Sequence, residues 1–120
     1  MKSKKSLLIF AATSLMLLSG CATRQQPLYS WGNYEDQLYD YFKGEPPEKQ
    51  IMAMESEMNE AEARGEKLPP GFYAHLGLLY DHAGKSDDAR KMLDMEKQNF
   101  PESAHFIDNL NSHFTKVSSQ

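Results

Sequence analysis

Proline and glycine divide this chain into short segments, and this punctuation limits its fold more than any other feature. Gly44, Gly65 and Gly84 follow apolar runs with helical spacing, and paired prolines at 46–47 and 69–70 precede the next two runs. Glycine commonly follows a helix end, and proline is tolerated in a helix's first turn. No segment alternates apolar and polar residues as a half-buried strand does. The sequence therefore predicts an all-α domain of antiparallel helix pairs.

Five amphipathic helices are expected from this pattern. Asn33 and Ser86 are predicted to cap the first and fourth helices. The glutamates of the second helix, Glu57 among them, are expected to face solvent. The predicted inward-facing residues are, helix by helix, Tyr34, Leu38, Tyr41 and Phe42; Ile51, Met54, Met58 and Ala61; Phe72, Tyr73, Leu76, Leu79, Tyr80 and Ala83; Ala89, Met92 and Leu93; and Phe106, Ile107, Leu110 and Phe114.

The start of the chain is organised like an export signal. Lysines open it, residues 7–18 form an uncharged apolar run, and Leu-Ser-Gly-Cys follows, ending at Cys21. The run is shorter than the roughly 20 apolar residues that span a membrane. The pattern resembles the lipobox of bacterial lipoproteins, which implies cleavage between Gly20 and Cys21 and acylation of Cys21. In such lipoproteins an aspartate directly after the lipidated cysteine marks retention in the inner membrane. This chain has Ala22 at that position, so the resemblance implies that the protein lies at the periplasmic face of the outer membrane. An ordinary secretory signal with a chance cysteine is the alternative.

Cleavage at this site would leave an acidic protein. It removes three basic and no acidic residues, leaving 10 basic against 17 acidic side chains, a net charge of −7. Such a surface repels nucleic acid and anionic headgroups, so membrane attachment depends on the lipid on Cys21. Cys21 is the one cysteine of the sequence, so a disulfide within the chain is excluded.

The expected organisation has four parts. They are a signal peptide at 1–20, a lipidated tether at 21–32, a helical domain at 33–115 and a disordered tail at 116–120. Tyr29 and Trp31 lie in the tether, beside the first helix. They would lie at the lipid headgroups or pin the tether to the domain, and the short distance to Asn33 favours the second.

Small and aromatic residues recur at fixed spacing over residues 70–103. They are Tyr73, Leu76, Gly77, Tyr80, Gly84, Ala89, Leu93 and Pro101. This spacing resembles the tetratricopeptide repeat, an antiparallel helix pair. The resemblance implies that Gly77 lets the two helices of the repeat approach closely, opposite Ala89. Glu96 stands where the pattern has a small residue, and this departure argues against tight packing of a following helix. One repeat does not bury its apolar face alone, so a degenerate pair at 33–64 and a C-terminal capping helix must complete the core.

The lipobox, the Tyr-Phe-Lys-Gly end of the first helix and the single repeat resemble a family of small bacterial lipoproteins whose genes lie beside those of a lipoprotein like the curli secretion channel. The resemblance implies a scaffold or accessory subunit of an envelope assembly, with another envelope protein, such as a channel-like lipoprotein, as its partner. Partner contacts in tetratricopeptide repeats come from the concave side of the first helix, here Ala74, Leu78, Asp81 and His82, with Leu78 as an exposed anchor. A pilotin-like chaperone for an outer-membrane channel subunit, a structural lipoprotein and a weak hydrolase are the alternatives.

Catalysis and metal binding have no candidate residues in the sequence. His75 and His82 are seven residues apart and His105 and His113 eight apart, whereas zinc ligands on one helix usually lie three or four apart. All four histidines are therefore expected at the surface. No nucleophile elbow, phosphate loop or dinucleotide-binding motif is present. We expect a protein that is not an enzyme and that uses no cofactor or metal.

The methionines of the second and fourth helices permit two interpretations. Unbranched thioethers fill cores, but they also line adaptable binding grooves. Met54, Met58 and Met92 lie on apolar faces and are assigned to the core. Met52 and Met95 lie off those faces, so both interpretations remain open for them.

Overall fold

The computed structural model describes residues 3–4 and 26–117, with side chains as far as residue 112. Its main elements are α1 Tyr34–Lys43, α2 Pro47–Arg64, α3 Phe72–His82, α4 Ser86–Asn99, a short 3-10 turn Pro101–Ser103 and α5 Ala104–Val117. The all-α prediction is confirmed, and the described part of the chain contains no strand. None of its helices is both long and apolar enough to cross a membrane. The predicted processing site at Gly20 and Cys21 lies outside the described residues.

The helices pack in chain order around one main core. α3 and α4 share the largest contact, α2 packs on α3, α1 packs on α2, and α5 packs on α4. The buried core residues are Tyr34, Ile51, Met54, Ala61, Leu68, Phe72, Leu76, Leu79, Tyr80, Ala89 and Met92. A smaller cluster joins Ala74, Leu93 and Ile107, with Leu110 at its edge. Most of the inward-facing residues predicted from helical spacing therefore lie in these two clusters.

α3 and α4 cross closely at Gly77. A Cβ atom added at Gly77 would lie 3.1 Å from the carbonyl oxygen of Ala89 and 3.2 Å from Cδ2 of Leu93. Such distances leave no room for a side chain without displacing the neighbouring helix. Beyond the crossing, the Tyr80 hydroxyl donates a hydrogen bond to Glu55 of α2. After α4, Pro101 opens the 3-10 turn that leads into α5.

The buried face of α1 differs from the predicted one. Phe42 is 78% exposed, whereas the polar Gln37 is buried. Eight residues of helix rotate by about 800°, which places Phe42 about 80° from Tyr34, at the edge of the buried face. Gln37 lies nearer to the centre of that face on its other side. Phe106 of α5 was also predicted to face inward and is 60% exposed.

The two predicted helix caps are wrong in detail. Asn33 directly precedes α1, but its side chain makes no capping hydrogen bond. Its Nδ2 atom instead donates to the carbonyl oxygen of Ala53, 3.4 Å away on α2. Ser86 is the first residue of α4 rather than its cap, and Lys85 precedes the helix without a side-chain bond to it. Tertiary contacts and glycine stops therefore define these helices more than side-chain caps do.

Glu96 of α4 caps α3 across the helix pair. The residue is 2% exposed, and its carboxylate accepts hydrogen bonds from the backbone amides of Gly71 at 2.7 Å and Ala74 at 3.3 Å. A helix N-terminus presents unpaired amides and partial positive charge, both of which favour a carboxylate. The sequence suggested that Glu96 would disturb packing of the next helix, but α5 packs on α4 through Ile107 and Leu93.

The segment before α1 is packed onto the domain rather than extended from it. The Tyr29 ring lies edge-on to Phe100 at 6.1 Å, and the Trp31 ring stacks on Tyr34 at 6.3 Å. The backbone amide of Ser30 donates to the carbonyl oxygen of Lys67 at 2.7 Å. The packed domain therefore begins at Tyr29, four residues earlier than the sequence predicted.

An ion-pair cluster on α2 holds this segment in place. Arg64 contacts Glu66 at 2.9 Å, Glu60 at 3.2 Å and Glu57 at 3.4 Å. Glu57, expected in solvent, is 8% exposed and accepts a hydrogen bond from the Ser30 hydroxyl at 3.1 Å. The backbone of Gly32 lies so close that an added Cβ atom would come 2.0 Å from the Glu57 carboxyl carbon. The φ of +42° at Gly32 favours glycine at this position, where the segment passes over the end of the Glu57 side chain.

Candidate functional site

Of the four residues expected on a concave partner surface, Ala74 is buried and the other three are not. Ala74 is 6% exposed and packs with Leu93 and Ile107. α5 thus covers this end of α3, and Ala74 is not available to a partner. Leu78 and Asp81 are half-buried, so Leu78 is less exposed than the sequence predicted, and His82 is exposed. Of the four residues, the structure therefore leaves His82, at the C-terminal end of α3, the most open to solvent.

His82 lies in an open groove that we call the end groove. It forms where the end of α1, the loop after it, the first turn of α2 and the last turn of α3 meet, and it has a volume of about 610 Å³. Its lining residues are Tyr41, Phe42, Gly44, Glu45, Pro46, Pro47, Gln50, Leu79 and His82. Apolar and aromatic side chains with a few polar groups are the usual composition of a binding site.

Local sequence places the walls of the end groove. Gly44 adopts a left-handed conformation with φ 74°, which ends α1 and turns the chain away. Two residues later Pro46 and Pro47 begin α2, where their fixed φ suits the first turn and their missing amides cost nothing. The Tyr41 ring stacks on His82 with the ring centres 5.5 Å apart. This contact joins the end of α1 to the end of α3 and holds the two walls together.

Gln50 is among the residues that line the end groove, but its side-chain oxygen is not accessible from it. Its side chain is 1% exposed, and Nε2 donates to the carbonyl oxygen of Glu45 at 2.9 Å. Oε1 has no hydrogen-bond partner among the described residues. Leaving a buried polar atom without a partner costs about 1–3 kcal/mol, so buried acceptors are nearly always satisfied by protein, water or ligand. Gln50 therefore carries an unpaired carbonyl oxygen inside the fold, at a cost to stability.

Phe42 is the most exposed large apolar side chain in the described part of the chain, at 78%. It flanks the end groove together with the buried Leu79 and the two prolines. An aromatic ring left in water beside a concave apolar site is a typical anchor point for another protein. Of the lining residues that the structure describes, Glu45 is the one carboxylate, and none is Lys or Arg.

His75 lies beneath the end groove and is buried, contrary to the prediction of a surface residue. Its ring lies edge-on to Tyr41 at 5.1 Å and to Tyr34 at 6.0 Å. Burial lowers the pKa of His75 below its ordinary value, and a hydrogen bond with the backbone of Gln37 opposes this only in part. The imidazole is therefore neutral at pH 7 and serves as a packing partner for the α1 aromatic residues.

The remaining histidines and acidic groups form no metal site in the structure as described. His105 is exposed on α5, and the side chain of His113 lies outside the described residues. Within the described residues no three His, Cys, Asp or Glu side chains lie close enough together to hold a metal ion.

A second groove, which we call the methionine groove, lies between α2 and α4. It has a volume of about 450 Å³ and is lined by Met58, Ala61, Glu62, Glu66, Leu68, Tyr73, Lys91, Met92, Met95 and Asn99. Met54 and Met92 are buried in the core and Met58 is packed against it, as the sequence predicted. Met95 is half-buried at the groove, whereas Met52 is 71% exposed on α2. The rim carries both signs of charge, from Glu62, Glu66 and Lys91.

Sequence reasoning missed most of the end groove. It assigned Phe42 to the core, treated the prolines at 46–47 only as a helix start, and did not single out Gln50. Phe42 is exposed because it lies about 80° around the helix from Tyr34. This angle can be calculated from the sequence spacing alone. The burial of Gln50 depends on the return of α3 against the first turn of α2, for which the sequence holds no local signal.

Comparison with known proteins agrees with the limits of the packed domain. No curated protein and no solved structure matches the chain. Residues 28–110 match the profile of a family described as a domain of unknown function, DUF4810. The match covers more than half of the chain, begins beside Tyr29, where packing begins, and includes every residue that lines the end groove. The chain therefore belongs to the DUF4810 family.

Proposed function

We propose that this protein is a lipid-anchored periplasmic subunit that binds another envelope protein through the end groove. The observation that carries the proposal is the 78% exposure of Phe42 beside a concave site with aromatic and proline walls. Truncating an exposed residue changes folding stability by less than about 0.5 kcal/mol, so the fold has little use for a phenylalanine at this position. Binding gives a physical reason for its presence.

The shape of the site suits a protein ligand. Aromatic side chains dominate the binding energy of protein interfaces, because they bury a large area in a few rotamers. Phe42 supplies such a side chain, and the adjoining hollow over Leu79 accepts one from the partner. The stacked Tyr41 and His82 rings form a wall that is already ordered, which lowers the entropy lost on binding.

The lipid anchor suggested by Cys21 would keep the groove close to the membrane. Tyr29, where packing begins, lies eight positions after Cys21 along the chain. At about 3.5 Å per residue they span at most about 28 Å. The fixed path of residues 29–32 over Glu57 would then define where the tether leaves the domain. A partner in the same membrane lies within this reach.

Affinity purification tests the proposal. Tagged full-length chain is extracted from the envelope in a mild detergent, and co-purifying proteins are quantified for the wild type, Phe42→Ala and the control Met95→Ala in the methionine groove. We expect one stoichiometric partner with the wild type and the control. Loss of an interface anchor costs about 2 kcal/mol, or about 30-fold in affinity, so Phe42→Ala should release it.

Two results would contradict the proposal. Loss of the partner with Met95→Ala but not with Phe42→Ala would move the binding site to the methionine groove. If no stoichiometric partner is recovered with the wild type, the proposal of a partner-binding subunit is wrong. Thermal melting of both variants shows whether they remain folded, which the exposure of Phe42 and the partial burial of Met95 predict.

A further inference from the structure

We infer that the methionine groove binds a soft monovalent metal ion, copper(I), through the thioether sulfurs of Met58, Met92 and Met95. This site shares no lining residue with the end groove and does not depend on the proposed function. The sequence predicted no metal site from its histidines, and the described His, Cys, Asp and Glu side chains form none. Thioethers are a different kind of donor, and three of them line one hollow.

Two helices bring these sulfurs together. Three of the five methionines in the described part of the chain line the groove. Met92 and Met95 lie three residues apart on α4, which places them on neighbouring turns of one face, and Met58 lines the same hollow from α2. A methionine side chain is unbranched and flexible, so its sulfur adapts to an irregular site. The groove therefore offers three adaptable donors from two sides.

The three methionines lie at different depths. Met92 is 5% exposed, whereas Met58 and Met95 are half-buried and pack against the same core. Ala61 and Leu68, both buried, supply further apolar lining. Apolar surroundings limit the access of water to a metal site, which favours a weak ligand such as a thioether over competing water. An ion that enters from solvent would meet Met58 and Met95 before the deeper Met92.

The donor set selects the type of metal. Soft thioethers select copper(I), whereas zinc takes thiolate, imidazole or carboxylate ligands and calcium takes at least about six oxygens. No described residue of the lining is His or Cys. Of its two carboxylates, Glu66 is already paired with Arg64 at 2.9 Å, which leaves Glu62 as the one other carboxylate of the lining. The groove therefore has too few oxygen or nitrogen donors for a hard cation or zinc.

The surroundings of the groove are acidic, which attracts a cation. Glu62 and Glu66 line it together with one cationic side chain, Lys91. Arg64, which pairs with Glu66, also contacts two further carboxylates on α2, so its charge is shared among three acidic groups. Negative charge is therefore in excess on this side of the domain, and the local field favours entry of a positive ion.

Packing alone does not account for all three methionines. Leucine and isoleucine fill a core in better-defined rotamers, so methionine specifies a core less well where only volume is needed. Met95 lies off the apolar face of α4 and is half-buried, yet its side chain lines this groove. A sulfur donor gives Met95 a role that leucine would not serve.

Nuclear magnetic resonance of the methionine methyl groups tests this inference on the full-length chain in detergent micelles. Silver(I) nitrate is added in a chloride-free buffer, because silver(I) has the charge and soft character of copper(I) but is not oxidised by air. We expect the methyl signals of Met58, Met92 and Met95 to shift together and to saturate at one ion per chain. Met52, which is 71% exposed, and Met54, which is fully buried, are internal references that should not move.

Two further titrations test which metal the site selects. Copper(I) is added without oxygen as its acetonitrile complex, and zinc(II) is added to a separate sample. We expect copper(I) to shift the same three methyl signals and zinc(II) to leave them in place. A shift of these signals by zinc(II), or a response to silver(I) without one to copper(I), would overturn the copper(I) assignment.

Variants separate metal binding from folding. Met95→Leu nearly keeps the side-chain volume and should stay folded in thermal melting, but it removes one sulfur. Loss of an outer-shell partner already weakens metal binding about 10- to 100-fold, so loss of a ligand should weaken silver(I) binding at least about tenfold. Met52→Leu, on the exposed side of α2, is the matched control and should bind silver(I) as the wild type does.

Three results would show that the groove does not bind the ion. They are equal silver(I) affinity of Met95→Leu and the wild type, a largest shift at the exposed Met52 or at a histidine ring, and shifts that never saturate. The first would exclude Met95 as a ligand, and the others would indicate scattered binding to single surface groups.

Discussion

Replacing Glu96 with alanine should destabilise the domain by about 3 kcal/mol, more than any other acidic substitution on α4. The carboxylate is buried and accepts hydrogen bonds from the amides of Gly71 and Ala74, 2.7 and 3.3 Å away at the start of α3. Alanine removes both acceptors and leaves the two amides without a partner in the core between α3 and α4.

The magnitude follows from these contacts. Hydrogen bonds to a charged group contribute about 1.5–3 kcal/mol each, and a carboxylate near a helix N-terminus adds about 0.3–2 kcal/mol. Water that enters the space left by the side chain recovers part of this loss, so we expect a value near the lower limit of the sum. Glu96→Gln keeps the shape and a neutral acceptor, and we expect it to cost about 1 kcal/mol.

Urea unfolding followed by circular dichroism measures these differences. The chain should begin at Gln26, because Tyr29 packs on Phe100 and a start beyond Tyr29 would remove that contact. Asp94→Ala is the matched control, since Asp94 is exposed on the same helix and its loss should change the unfolding free energy by less than about 0.5 kcal/mol. If Glu96→Ala is as stable as Asp94→Ala, the cross-helix cap contributes nothing and the reasoning is refuted.

Two further predictions rest on the structure, and one rests on the sequence around Cys21. Gly77→Leu should cost about 1–3 kcal/mol by overpacking, because even a Cβ atom would lie 3.1 Å from the Ala89 carbonyl oxygen; an unchanged melting temperature would contradict the close crossing. Cys21→Ser should abolish labelling with radioactive palmitate, because a hydroxyl does not replace the thiol, and retained label would refute the lipoprotein assignment. Since burial lowers the folded-state pKa of His75, the unfolded state binds the proton more readily, and stability should fall as the pH drops below about 6.5, the ordinary histidine pKa. Between pH 7 and 5.5, His75→Phe should remove this pH dependence of the unfolding free energy, whereas His82→Gln, at an exposed position, should not. If the wild type and both variants show the same slope, the pH dependence comes from other groups.

The sequence by itself determined the helices. Gly44 and Gly65 end α1 and α2 in left-handed conformations, and Pro47 opens α2. These signals are local, because a glycine stop or a proline in the first turn acts through backbone geometry over a few residues. The apolar spacing of α4 likewise placed Ala89 and Leu93 in the core without knowledge of their partners.

Which side of each helix is covered was decided by the tertiary structure. Helical spacing gives the angle of a side chain around its own axis, but not which neighbour packs there or how wide the contact is. Phe42 lies at the edge of an apolar face and is left in solvent, whereas Ala74 is covered by α5. Of the residues predicted for a partner surface along α3, Ala74 is therefore buried and His82 is exposed.

Buried polar groups show the same limit most clearly. Glu96, Glu57 and Gln50 have the sequence signature of solvated helix positions, yet all three are buried. A polar side chain is buried at low cost only where another part of the chain brings it a partner, here the α3 amides for Glu96 and Ser30 for Glu57. In Gln50, the Nε2 atom has a hydrogen-bond partner among the described residues and the Oε1 atom has none. Such pairings join residues far apart in sequence, so local pattern determined the helices while their contacts determined the site.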